Sequence, residues 1–89
     1  MVHVFYDYAK LEDGTQVAYS QVLDDGSVEV SVERPVQLGF DSVRYRLPSF
    51  ERFDVCGFSE MDIASLDAFI RRNAPLMLRL AREASKVYA

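Results

Sequence analysis

At 89 residues, with 49% hydrophobic side chains, the chain is long enough for one domain around one core and too apolar for disorder. A net charge of −4 argues against direct nucleic-acid binding, which depends on cations at phosphates, and no apolar run approaches the ~18 residues of a membrane span. A single cysteine, Cys56, excludes an internal disulfide and suits a reducing compartment, and a strand-like pattern that begins by Val2 leaves no signal peptide, so a cytoplasmic location is expected.

Val2 to Leu11, rich in valine and aromatics, predicts a first strand. Asp13-Gly14 supplies a tight-turn signal, and Gln16 to Leu23 a second strand. Asp25-Gly26 marks a second turn, after which Val28 to Glu33 alternates cleanly between apolar and polar residues. Arg34-Pro35 is expected to end that strand. Residues 36–42 then read as a connection, with Gly39 as its special-dihedral position. Val43 to Leu47 predicts a fourth strand closed by Pro48, and Phe50 to Cys56 a short fifth.

Register decides which side chains share a face. Two-residue loops at both aspartyl-glycine pairs set Tyr8 opposite Tyr19, Tyr6 opposite Gln21, Val4 opposite Leu23, Gln21 opposite Val30 and Tyr19 opposite Val32. Both hairpins then assign Val2, Val4, Tyr6, Tyr8, Val17, Tyr19, Leu23, Val28, Val30 and Val32 to one inner face. The outer face receives His3 near Asp24, Phe5 beside Val22, Asp7 beside Ser20, Ala9 beside Ala18, and Glu29 and Glu33. Only one helix follows, so this outer face should meet solvent or a partner, unless the segment 35–42 folds over it.

That helix spans Ser59 to Tyr88. Ser59 is an N-cap with Asp62 in the capping-box position, and Phe58 and Ile63 are placed as a hydrophobic staple. At 100° per residue, Ile63, Leu66, Ile70, Ala74, Met77, Ala81, Ala84 and Tyr88 form one stripe, widened by Phe69, Leu80 and Val87. Arg71, Arg72, Arg79, Arg82 and Lys86 fall on the opposite arc, with Glu83 four residues after Arg79 and able to pair with it. Pro75 interrupts the helix on its solvent side, so a kink near Asn73 is expected. The fold class is therefore α+β: an antiparallel four- to five-stranded meander with one C-terminal helix across one face, in a single domain.

Charge is unevenly spread. Residues 1–33 carry seven acids against Lys10, whereas residues 59–89 carry five bases against four acids. Paired acids such as Asp24-Asp25 sit in turns, where aspartate suits the backbone geometry. His3 is the only histidine, no metal-ligand spacing or phosphate loop is present, and Cys56 is expected to pack as a small apolar group. No enzyme and no cofactor are expected.

What these residues favour is stoichiometric binding of a protein, in the manner of a small regulator or inhibitor. Anti-CRISPR proteins and antitoxins share this profile as a class. The expected contact surface is Phe5 and Val22 for apolar contact, with Asp7, Asp24, Asp25, Glu29 and Glu33 meeting Lys or Arg on the partner, such as a nucleic-acid-binding protein. Two alternatives stand beside it: a homodimeric subunit of a larger assembly, and a nucleic-acid-binding regulator that uses the basic helix face.

Overall fold

The computed structural model of the chain describes residues 4–87. Five strands, β1 (Phe5–Lys10), β2 (Gln16–Ser20), β3 (Val28–Val36), β4 (Gly39–Leu47) and β5 (Glu51–Cys56), form an antiparallel sheet in the order β1-β2-β3-β4-β5, and one helix, α1 (Glu60–Val87), follows. This is the expected α+β meander. Val2, His3, Tyr88 and the side chain of Val87, all given places above, lie outside the described residues.

Both aspartyl-glycine turns are one residue longer than the spacing predicts. Gly14 N–H donates to Leu11 O at 3.0 Å and Leu11 N–H to Thr15 O at 2.8 Å, with Gly14 at φ +88°. The second turn repeats this through Leu23, Gly26 and Ser27, with Gly26 at φ +86°. These are three-residue loops ending in a left-handed glycine bulge, and Asp13 and Asp25 hold them by accepting from the N–H groups of Thr15 and Ser27.

A one-residue offset alone would turn every side chain to the wrong face. A second irregularity in each hairpin cancels it. The β1–β2 register shifts between Asp7 and Ala9, at Tyr8, and the β2–β3 ladder resumes only at Tyr19, after Ser20 to Val22 have left it. Two odd steps make an even one, so the faces are as expected while the partners are not. Tyr6 stands opposite Tyr19, Tyr19 opposite Val30, Asp7 opposite Ala18 and Ala9 opposite Val17.

The inner face therefore packs as the alternation implies. Val17, Tyr19, Val28, Val30 and Val32, joined by Val43, Tyr45 and Leu47 of β4, bury against Leu66, Ile70, Ala74, Met77 and Ala81 of α1. Tyr6 stacks on Tyr19 at 5.5 Å, and Tyr8 meets Tyr19 and Phe69 edge-on. Val4, expected inside, is instead exposed at the start of β1.

The helix begins as its cap predicts, with Asp62 N–H donating to Ser59 Oγ at 3.1 Å and Ser59 N–H to Asp62 Oδ2 at 3.2 Å. It then continues unbroken through Pro75, so the expected kink near Asn73 does not divide it. Twenty-eight helical residues span ~42 Å, and the molecule is 40 Å long, so α1 runs from one end to the other. Pro75 is exposed, which leaves the carbonyl it crowds on the watered side of the helix. Two residues earlier, Asn73 ties helix to sheet: its Nδ2 donates to Phe69 O at 2.8 Å, and its Oδ1 accepts from Tyr8 Oη at 2.6 Å.

The largest departure is the segment read as a connection. Pro35 does not end β3: the strand runs to Val36, turns through Gln37-Leu38 and returns as β4 from Gly39. Val36 and Gly39 close this two-residue turn, so the neighbouring pair Pro35↔Phe40 points its backbone groups away from each other. On that side β2 has already ended, its last pair with β3 being Gln16↔Glu33. The missing proline N–H is thus one that no neighbouring strand requires.

Core and tip predict opposite mutational costs. Ile70→Ala should lower the unfolding free energy in urea by about 3 kcal/mol, as a large-to-small change at a fully buried position. Leu38→Ala, at the open hairpin turn, should change it by less than ~0.5 kcal/mol.

Candidate functional site

The residues expected to form one contact surface lie in three separate places. Phe5 and Asp7 are on the outer face of β1, Phe5 beneath the Arg44 guanidinium at 5.8 Å and Asp7 exposed. Val22 is not beside Phe5. Its N–H donates to Ser85 Oγ at 2.9 Å, and its side chain packs on the core from the helix side, because the chain leaves the β2 ladder after Ser20. Asp24 and Asp25 cap the β2–β3 turn, where hydrogen bonds from the Ser27 side chain and backbone hold the Asp25 carboxyl below the usual range.

Glu29 is also corrected. It is only 3% exposed, and its Oε1 accepts from Arg44 Nη1 at 2.9 Å, so it helps cover the outer face and is not displayed on it. The same face carries Arg46 over the Phe53 ring at 5.3 Å. Cations from β4 thus meet the acids and aromatics of their neighbours, giving a mixed surface in place of the expected acidic one. The segment 35–42 does not fold over it. Of the expected carboxylates, Glu33 stands exposed near the opposite end of β3 from Glu29.

Glu33 leads to a different surface, which begins at Arg34. This guanidinium points to the helix side and gathers three carboxylates from three elements: Asp41 Oδ2 of β4 at 2.6 Å, Asp62 Oδ2 of α1 at 3.1 Å, and Asp13 Oδ2 of the β1–β2 turn at 3.6 Å. The Phe58 ring lies 4.8 Å beneath it. Hydrogen bonds to Asp41 and Asp62 push the Arg34 pKa further up. Asp62 is held below the usual carboxylate range, chiefly by Arg34 and then by Ser59. Asp13 is held low as well, chiefly by Thr15. Gly57 completes the anchor. It sits at φ +88°, and a Cβ there would collide with Asp41 Oδ1.

Beyond this anchor the β3–β4 hairpin outruns the rest of the fold. Arg34 is level with the first turn of α1, and the strand continues for two more residues, ~7 Å, before turning. Leu38 at the turn is 98% exposed, Phe40 61% and Val36 45%. Exposed carboxylates ring the same end: Glu33, Glu12 of the β1–β2 turn, Asp54 of β5 and Glu60 of α1, none of them in an ion pair among the described residues. Glu33, Phe40 and Asp54 share a depression of about 350 Å³ on the outer side. On the helix side, Arg52, Val55, Phe58, Ile63 and Asp67 line a groove of about 430 Å³. Arg52 Nη1 and Tyr45 Oη bind Asp67 there at 3.0 and 2.6 Å, and burial pushes the Tyr45 phenol up.

Sequence reasoning missed Val36, Leu38 and Phe40 as a surface because it took Pro35 as a terminator. Three large hydrophobes within five residues, around a turn with Gly39 at its end, were the available signal. Cys56, expected inside, is exposed at the end of β5 opposite Ser42. Among the described residues no group of three His, Cys, Asp or Glu is placed to hold a metal ion, and no helix is long and apolar enough to cross a membrane.

The anchor predicts a pH dependence with a definite sign. Asp13 and Asp62 are depressed in the fold, so the stability they contribute is present above their unfolded values near pH 4 and is lost as pH falls through their lower native values. Urea titrations from pH 7 downward should therefore show the midpoint falling below about pH 4, and Arg34→Gln should lower it at neutral pH while flattening that acid limb. Gly57→Ala should cost roughly 2 kcal/mol in the same measurement, from strain at positive φ and displacement of Asp41. Compared with family models, with curated proteins and with solved structures, the chain matches none.

Proposed function

We propose that the protein acts by stoichiometric binding of a protein partner through the projecting β3–β4 hairpin. The observation that supports this is that Val36 and Phe40, on the two faces of the hairpin, and Leu38 at its turn are all exposed on a finger that continues past its anchor to the first turn of α1. Burying a leucine or phenylalanine side chain stabilises by about 2 kcal/mol, so a partner that covers the finger gains a hydrophobic contribution that the fold leaves unused.

The surrounding charge favours a basic partner. Glu12, Glu33, Asp54 and Glu60 form an acidic collar, while the nearby Arg34 and Arg52 are already engaged by carboxylates. Two such collars face to face would repel, which disfavours a second copy at this position. An apolar pocket rimmed by Lys or Arg, as on a nucleic-acid-binding protein, is complementary in both respects. A small binder that fills such a pocket acts as a regulator or inhibitor, the class to which anti-CRISPR proteins and antitoxins belong.

Leu38→Asp with Phe40→Asp should leave the unfolding midpoint unchanged and weaken partner binding at least ~30-fold, the loss of a central apolar contact. Glu33→Lys with Asp54→Lys should weaken it about tenfold and reduce its salt dependence. The measurement is capture of a partner from the source cells, then titration of the purified pair. Equal affinity for wild type and the Leu38/Phe40 variant would sink the proposal. Sedimentation that shows a dimer broken by Leu38→Asp would assign the finger to a second copy.

A further inference from the structure

The other large unpartnered surface is the outward face of α1, and it is chemically opposite to the finger. Arg71, Arg72, Arg79, Arg82 and Lys86 are all exposed there, as is Pro75 between them. At 100° per residue the five cations occupy one arc about 100° wide, and at 1.5 Å per residue they extend over ~22 Å. Every acid of α1 except Glu83 lies in its first eight residues, at Glu60, Asp62 and Asp67. None of the five bases forms an ion pair among the described residues, and the anticipated Arg79–Glu83 pair is not made. Arg71 lies over the Phe50 ring at 4.5 Å, which fixes its position and leaves its charge unneutralised.

We propose that the outward face of α1 between Arg71 and Lys86 binds the phosphate backbone of a nucleic acid. A line of ~22 Å lies against a polyanion that carries one charge per ~1.7 Å of duplex axis, so four or five cations are matched by more phosphates than they need. The net charge of −4 does not oppose this locally. The molecule is 22 Å thick, whereas charges are screened over ~8 Å at physiological salt, so acids on the far side of the sheet contribute little at this face. The helix dipole favours cations in the last turn, which accounts for Lys86 but not for Arg71 and Arg72 at mid-helix. An anionic membrane is the poorer occupant. An interfacial helix inserts its apolar face, and in α1 that face, through Ile70, Met77 and Ala81, is buried under the sheet.

The contacts are to phosphate alone, so binding should be strongly salt-dependent and indifferent to sequence. The test is fluorescence anisotropy of labelled single-stranded RNA, single-stranded DNA and duplex DNA, each of about 20 units, titrated with the full chain at ~50 and ~200 mM salt. Binding of at least one probe is expected, with log K falling against log salt at a slope of about −3 to −4. Arg79→Glu with Arg82→Glu should weaken binding at least ~30-fold, and Glu83→Gln should strengthen it about threefold. Circular dichroism of these exposed variants should match wild type. No binding of any probe at ~50 mM salt would overturn the proposal, as would variants that bind like wild type. Retention by phosphatidylserine vesicles but by no nucleic acid would also overturn it. Because Leu38 and Phe40 are not on this face, the hairpin variant should bind these probes normally, which keeps failure here distinct from failure of the protein-docking proposal.

Discussion

One guanidinium holds the hairpin end of this fold together. Arg34 projects from β3 one residue past its last pair with β2, and it binds Asp13, Asp41 and Asp62 at once. Those carboxylates belong to a turn, a strand and a helix cap that are far apart in sequence, so the contact fixes where α1 starts relative to the sheet. It also explains why a two-stranded finger can stand beyond the fold. An isolated hairpin is marginal in water, and this one is clamped at its base. The phenyl ring of Phe58 beneath the cation and the absent Cβ of Gly57 beside Asp41 shape the space that the clamp needs.

The architecture was legible because it rests on periodicity. Valines at 28, 30 and 32 announced one buried face, and the stripe from Ile63 to Ala81 announced the surface that covers it. The capping box at Ser59 and Asp62 marked the helix start with both of its hydrogen bonds. Pairing was not legible, since the same aspartyl-glycine signal serves a two-residue loop and a three-residue loop with a bulge. The face assignment survived only because Tyr8 on one side, and the departure of Ser20 to Val22 on the other, each restored the lost parity.

The contact surface was far less legible, and the reasons are specific. Glu29 looked like a displayed acid, but Arg44 arrives from a strand whose register no local rule supplies. Val22 looked like the apolar partner of Phe5 until Ser85, sixty-three residues away, drew its backbone to the helix side. Val36, Leu38 and Phe40 were placed in a connection that could cover the sheet, behind a proline whose missing donor turned out to face an empty flank of the strand. Each error follows from a long-range neighbour that decides what a locally readable residue does.

The unbroken passage of α1 through Pro75 has a mechanical corollary. The hairpin lies at the helix's first turn, and the arginines centre near residue 79, about 28 Å further along the same continuous helix. A hinge at Asn73 would have let the two surfaces move independently. Without one, the protein is a spacer of set length. Under the two proposals, a partner at the tip and a polymer along the shaft would sit at a constant offset, and only complexes with that spacing would engage both surfaces together.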